Sequence, residues 1–314
     1  MGNILDGKKL ADRIKTDVRK EVATLNQIGI DVGLALLLTG ENPASKQYFQ
    51  ATLSACRKVG ITAYEFRLPA SVTVNEIMNV VHKINTDERI NGLLVLMPLP
   101  RHINSRRIIN SIVPEKDIDG LGAISVGRLA ADESTFQLFN NTRAGDMIQQ
   151  FRFVPSIWSF LPCTPFGVMR LLEHYNVGIK GKHAVIVGKS LAVGKPLATM
   201  FLAKEATVTV CHKETKDLAA MTKQADILCS ATGRAGLIKG GMVKKGAVVV
   251  DIGINVIEDG GITGDVDFKS VSKKASLITP VPGGVGPVTI AMLLENTVRS
   301  AQRNEVFKSP LMMG

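Results

Sequence analysis

The feature that most constrains this chain is an alternation of short, almost wholly apolar runs with turn residues and helix-like stretches. Residues 32–38 (VGLALLL) read as a buried strand closed by Thr39-Gly40. Asn42-Pro43-Ala44-Ser45 then precedes a helical stretch from about Lys46 to Val59, which Gly60 would stop. A second strand is expected over 61–68, a helix over 74–85, and a third strand over 92–97 before Pro98-Leu99-Pro100. Consecutive strands joined by helices imply a parallel sheet with right-handed crossovers.

The second half repeats the pattern. A helix is expected over 165–175, a strand over 183–187, a glycine-bearing loop, and a helix from about Pro196. Strands over 207–211, 227–231, 247–252 and 277–278 follow, then a helix over 288–303. The 314 residues accommodate two α/β domains: an N-terminal parallel-sheet substrate domain and a Rossmann-type dinucleotide-binding domain.

The loop Val187-Gly188-Lys189-Ser190-Leu191-Ala192-Val193-Gly194-Lys195-Pro196 leaves one expected strand and opens a helix. Gly188 permits a tight turn, Gly194 permits close backbone approach, and the helix N-terminus offers N–H groups to an anion. Ser190 stands where a second glycine would be, so the loop alone also fits a plain strand-to-helix turn. The next strand ends Cys211-His212-Lys213, with no acid before Glu214 to receive ribose hydroxyls. Lys189 and Lys213 suit a 2′-phosphate instead, which favours NADP over NAD; simple solvation of both is the alternative.

A formal charge of +10 raises the question of nucleic acid, but the basic residues are scattered and there are only three Tyr and one Trp. The charge suits anionic small molecules or equally a merely solvated basic surface; no nucleic acid is expected as a partner, and no membrane, since no apolar run approaches the roughly 18 residues of a membrane span. The N-terminus shows no secretory pattern, and Asp6 weakens a myristoylation reading. Cys56, Cys163, Cys211 and Cys229 form no C-x-x-C pair, so neither a metal site nor a disulfide framework is expected, and a cytoplasmic location fits. Cys163 is read as a spectator thiol.

Several blocks together resemble the methylenetetrahydrofolate dehydrogenase/methenyltetrahydrofolate cyclohydrolase family. They are Asn42–Ser45 with Tyr48, the run from Gly92 through Pro100, Pro114-Glu115-Lys116-Asp117-Ile118-Asp119-Gly120, and Pro162-Cys163-Thr164-Pro165. The loop beginning at Gly188, Asp251-Ile252-Gly253-Ile254-Asn255, Gly264-Asp265-Val266 and the block from Thr279 to Pro287 complete the set. The resemblance implies an enzyme that moves a hydride from methylenetetrahydrofolate to a nicotinamide dinucleotide. Water then opens the methenyl bridge. It also implies a homodimer, with tetrahydrofolate as the carrier of the reacting carbon.

The implied domains are a folate-binding catalytic domain over 1–125, completed by a C-terminal helix at about 286–305, a connector over 126–161, and an NAD(P)-binding domain over 162–285. Tyr48 matches the family's active-site tyrosine, and Asp119 the aspartate that anchors the amino-pyrimidine edge of the pterin. Pro282, Gly283 and Gly284 would lie against the folate. The implied dinucleotide contacts are Gly188, Lys189, Ser190, Val193, Gly194, His212, Lys213, Thr232, Gly233 and Ile254.

Two positions depart from the family pattern. Its catalytic lysine falls four residues after the tyrosine, where this chain has Thr52, and its active-site glutamine falls at Leu96. Opening the methenyl bridge needs proton transfer, a task typically worth about 100- to 10,000-fold in rate. Hydride transfer depends mostly on holding two rings in line. A retained dehydrogenase with weak or absent cyclohydrolase is therefore expected. A fully bifunctional enzyme and a non-catalytic folate- or dinucleotide-binding paralogue are the alternatives. A third departure is the long segment 132–161, with Phe136, Phe139, Phe151, Phe153, Trp158 and Phe160. It reads as a locally packed excursion, with a lid or partner-docking patch as the alternative.

Overall fold

The structure, a computed structural model, describes residues 2–131, 159–257 and 261–308. Expectations for Phe136, Phe139, Phe151, Phe153 and Trp158 lie outside the described residues, whereas Phe160 is buried. Two compact units emerge: residues 1–13 with 162–292, and residues 14–161 with 293–314.

The chain opens with β1 (Asn3–Ile4) and α1 (Gly7–Gln27). Asp6 accepts the Lys9 N–H at 3.0 Å and so caps the helix, while Leu10, Ile14, Val18, Val22 and Leu25 form its buried stripe. Then come β2 (Gly33–Thr39), α2 (Pro43–Val59), β3 (Thr62–Leu68), α3 (Val74–Thr86) and β4 (Gly92–Val95). Two short helices, α4 (Ser105–Ile109) and α5 (Ala123–Ala130), end the first described stretch. The three strands form a parallel sheet in the order β3-β2-β4. Every residue of β2 and β4 is buried, which is why both read as unbroken apolar runs. The expected strand over 92–97 stops at Val95; Leu96 still donates its N–H to the Leu37 carbonyl at 2.9 Å, and Pro98, which has no N–H, cannot extend the ladder.

The later elements are α6 (Cys163–His174), β5 (His183–Val187), α7 (Gly194–Ala203), β6 (Thr207–Cys211), α8 (Leu218–Thr222), β7 (Ile227–Ser230) and β8 (Val248–Asp251). After them come β9 (Asn255–Val256), β10 (Ile262–Thr263), α9 (Phe268–Val271), β11 (Leu277–Ile278) and α10 (Val285–Lys308). The main sheet runs β1-β11-β8-β7-β5-β6 and is parallel throughout. Strand order reverses at β5, which has β6 on one side and β7 on the other. In open α/β sheets ligands bind outside the carboxyl ends at such a switch point.

The contact grouping differs from the expected first domain at its start: β1 pairs with β11, and residues 1–13 group with the Rossmann-type unit. The last helix divides as well, with Leu293 onward joining the three-stranded unit. Among the described residues no helix is long and apolar enough to cross a membrane.

Candidate active site

In the three-stranded unit, the residues singled out from the sequence gather where β2 and β4 end and α2 begins. Asn42 caps α2 by accepting the Ser45 N–H at 3.0 Å, with Pro43 in the first helical turn. The Ser45 hydroxyl donates to the Met97 carbonyl at 2.8 Å, tying the start of α2 to the exit of β4. Asn42, Pro43 and Ser45 are therefore explained by helix capping and strand anchoring. Tyr48 follows, half-buried, one turn along α2.

Thr52 lies one further turn on and is fully buried. Its hydroxyl donates to the Tyr48 carbonyl at 2.9 Å, so its one polar side-chain atom is spent on the helix itself. Leu96 is 2% exposed, and its N–H donates to the Leu37 carbonyl at 2.9 Å. Neither residue carries a group that titrates near neutrality. Lys46, on the same helix, pairs with Glu41 at the surface.

The block from Pro114 to Gly120 is mostly structural. Lys116 Nζ donates to the carbonyls of Ile84 and Asp87 at 2.6 and 2.8 Å and so closes the end of α3; burial pushes its pKa down. The Asp117 carboxylate accepts the N–H groups of Leu121 (3.2 Å) and Gly122 (2.9 Å) and the Ser125 hydroxyl (2.6 Å). Burial nevertheless raises Asp117 to about 6, against the lowering effect of those donors. Ile118 is fully buried and its carbonyl accepts the Asn296 amide at 2.8 Å. Asp119 sits half-buried between that core anchor and the turn that Asp117 holds.

In the Rossmann-type unit, the loop after β5 is shaped by its own packing. Gly188 has φ 121°, and a Cβ there would come within 2.3 Å of the Ala231 carbonyl oxygen, so only glycine fits. Ser190 Oγ accepts the N–H groups of Val193 (3.1 Å) and Gly194 (3.4 Å), and the Ser190 carbonyl accepts that of Lys195 at 3.0 Å. This corrects the expectation that the N–H groups opening this helix stand free: Ser190, in the second glycine's place, occupies them. Lys189, Ser190, Leu191 and Ala192 are exposed around this cradle. At the end of β6, the His212 N–H donates to Thr215 Oγ1 at 2.8 Å, while Lys213 is exposed and 3.5 Å from Glu214. An ion pair that exposed is worth little and leaves the lysine available to another anion.

The loops after β7 and β8 carry Thr232, Gly233 and Ile254. They are held by two buried carboxylates that sequence reading did not single out, Asp251 and Asp265. Burial raises Asp251 to about 6, with the neighbouring Asp265 charge adding to the effect and the Val266 and Asp265 N–H groups opposing it. The signal was present in the sequence: each acid lies within a glycine-bearing block that carries the resemblance. Pro282 is exposed, Gly283 accepts the Lys8 N–H at 3.0 Å through its carbonyl, and Gly284 is buried. The Thr289 hydroxyl, at the start of α10, donates to Thr164 Oγ1 at 3.2 Å and fixes the Pro162–Pro165 block. All four cysteines are free and buried, and Cys163 opens α6.

Residues 5–119 match the family model for the tetrahydrofolate dehydrogenase/cyclohydrolase catalytic domain, and residues 162–305 match that family's NAD(P)-binding domain. The chain belongs to this family. A relative called Bifunctional protein FolD from Nautilia profundicola is 46% identical over 299 residues, covering 95% of this chain and 97% of the relative. The crystal structure of the bifunctional enzyme FolD from Campylobacter jejuni has a TM-score of 0.87 and 45% identity, over 97% of this chain and 100% of that one. The Trypanosoma brucei methylenetetrahydrofolate dehydrogenase-cyclohydrolase, solved with NADP and an inhibitor, has a TM-score of 0.85 and 34% identity, over 97% and 98% of the two chains. The two-domain α/β architecture of the dehydrogenase/cyclohydrolase family is thus the one this chain adopts, with its NAD(P)-binding domain built on the β5–β8 sheet.

Proposed function

We propose that this chain oxidises methylenetetrahydrofolate with a nicotinamide dinucleotide, in a framework built for both steps named in its bifunctional relatives. The observation that carries the reading is the pairing of near-full-length 46% identity to bifunctional FolD with a glycine loop shaped by close packing at the sheet's switch point. The bound dinucleotide supplies the hydride acceptor. The chain's own residues bind and orient: the loop from Gly188 to Gly194, with Lys189 exposed on it, borders the diphosphate, and Thr232, Gly233 and Ile254 border the nicotinamide end. Asp119 accepts two parallel N–H bonds from the pterin's amino-pyrimidine edge, as a carboxylate can. Tyr48 and the Pro282–Gly284 loop position the folate rings. Lys189 and Lys213, with no acid at the end of β6, favour NADP. A homodimer in a reducing cytoplasm belongs to the same reading, and the four free cysteines suit it.

For the second step, the relatives' name supports full cyclohydrolase activity. One specific observation favours a weak second step: Thr52 and Leu96 stand where the family's lysine and glutamine are expected, and both are buried without a titratable group. Following dinucleotide reduction and methenyltetrahydrofolate separately distinguishes the readings. Reduction with accumulating methenyl product supports the dehydrogenase alone. Reduction with prompt hydrolysis, clearly faster than in buffer, supports both activities. No reduction of NADP or NAD refutes both and leaves the non-catalytic paralogue.

A further inference from the structure

Asp251, at the end of β8, and Asp265, just after β10, are 3% and 0% exposed. Two adjacent buried carboxylates are costly unless their acceptor positions are filled. Here they are filled densely. Asp265 Oδ2 accepts from Ser230 Oγ (3.0 Å), Thr232 N (2.6 Å) and Thr232 Oγ1 (2.9 Å). Its Oδ1 accepts from Arg234 N (2.9 Å) and Asn255 Nδ2 (3.1 Å). Asp251 accepts the N–H groups of Gly253 (3.0 Å) and Asp265 (3.0 Å) through Oδ1, and that of Val266 (2.9 Å) through Oδ2. Its own N–H donates to Thr279 Oγ1 at 2.7 Å. The packing admits no looser arrangement: a Cβ at Gly264 would sit 1.9 Å from Asp251 Oδ2, and one at Gly253 would sit 2.1 Å from Asp265 Oδ1.

The donors come from three separate loops at the carboxyl ends of the sheet. One follows β7 and holds Thr232 to Arg234. One follows β8 and holds Gly253 to Asn255. The third follows β10 and supplies the Asp265 and Val266 N–H groups, while Thr279, heading the loop that runs to Gly284, accepts the Asp251 main-chain N–H. A fold that needed only stability would place apolar side chains here, since replacing buried charge with well-packed apolar groups is often neutral or stabilising. What the carboxylates supply is fixed main-chain geometry at loops that carry ligand contacts.

We propose that Asp265 is a positioning residue for the dinucleotide, holding the Thr232–Arg234 and Asn255 segments in their binding arrangement, and that Asp251 and Thr279 relay that arrangement to the Pro280–Gly284 loop. The inference rests on the placement of the nicotinamide end at Thr232, Gly233 and Ile254. Asp265 touches no ligand in this scheme; it acts through the backbone it holds.

The test uses the full chain with Asp265→Asn, Asn255→Ala and Thr279→Val. Asparagine at 265 turns one acceptor into a donor facing Ser230 and Thr232, whereas Asn255→Ala removes the hydrogen bonds of one half-exposed amide, to Asp265 Oδ1 at 3.1 Å and to the Thr263 carbonyl at 3.4 Å, and keeps the fold measurable. Calorimetric titration with NADP alone reads positioning without any reaction, and steady-state kinetics separate KM for dinucleotide, KM for folate and kcat. Asp265→Asn is expected to weaken NADP binding by about 10- to 100-fold, and Asn255→Ala by about 3- to 10-fold, each raising the dinucleotide KM more than the folate KM. Thr279→Val is expected to raise the folate KM more than the dinucleotide KM. If the folded variants lose thermal stability yet bind NADP as the unaltered chain does, the carboxylates are merely structural and the proposal is overturned. If the unaltered chain binds neither NADP nor NAD, the proposed function fails as well, and the two failures are told apart.

Discussion

Restoring the two missing polar groups is the sharpest probe of the second catalytic step. The perturbation is Thr52→Lys with Leu96→Gln. Position 52 is fully buried, and its present hydroxyl is committed to the Tyr48 carbonyl, so lysine forfeits one hydrogen bond worth about 0.5–1.5 kcal/mol. Burial disfavours the ammonium and can lower a lysine from about 10.4 by up to about 3–5 units, into the range where proton transfer near neutral pH is most effective. Replacing buried Leu96 adds a cost of about 2–3 kcal/mol, so the double variant should be about 2.5–4.5 kcal/mol less stable, a large part of a typical domain's margin. In exchange, general acid–base help should speed methenyl opening by about 100- to 10,000-fold, equivalent to about 3–5 kcal/mol at the transition state. The assay follows loss of methenyltetrahydrofolate against buffer, with dinucleotide reduction as the control for a folded site. Two results refute the reasoning. If the unaltered chain opens the bridge as fast as the variant does, the full bifunctional reading holds. A folded, dehydrogenase-active variant with no gain would show that position 52 does not address the bridge.

Three further outcomes follow from the geometry. Asp117 and Asp251 both titrate near 6 when folded, against about 3.8 for a free carboxyl, so the folded state binds protons more tightly and stability falls as pH rises from about 4 to about 6. Each shift of about two units corresponds to about 3 kcal/mol at neutral pH; Asp117→Asn should flatten the pH dependence of the urea midpoint in that window, and an unchanged slope would contradict the assignment. Gly264→Ala drives a methyl into the Asp251 carboxylate, with a Cβ to Oδ2 distance of 1.9 Å, and should cost at least about 3 kcal/mol in denaturant unfolding; a loss under about 1 kcal/mol would show that the carboxylate pair yields easily. Replacing Lys189 and Lys213 together with alanine should raise KM for NADP by about tenfold or more while leaving KM for NAD within about twofold, and equal effects on both cofactors would remove the 2′-phosphate argument.

Much of the fold is legible in local pattern. Strands β5, β6 and β11 fall at the expected residues because each is a short β-branched or apolar run bounded by turn residues. The long helix α1 is equally legible from Asp6 and the spacing of Leu10, Ile14, Val18 and Val22. The cis isomer of the Met97–Pro98 peptide was not legible, since an apolar run does not disclose it.

The sequence by itself determined the architecture, the family, and the identity of the side chains at Tyr48, Thr52, Leu96 and Asp119, because periodicity and short motifs are local properties. Only the tertiary structure decided what those side chains are free to do. It commits the Thr52 hydroxyl to its own helix, places β1 in the Rossmann-type sheet, and hands Ser190 the N–H groups of the glycine loop. It also brings Asp251 and Asp265, fourteen residues apart, into one buried network with Thr232 and Thr279. Hydrogen-bond commitment and desolvation depend on which distant segments meet, and no local pattern encodes that.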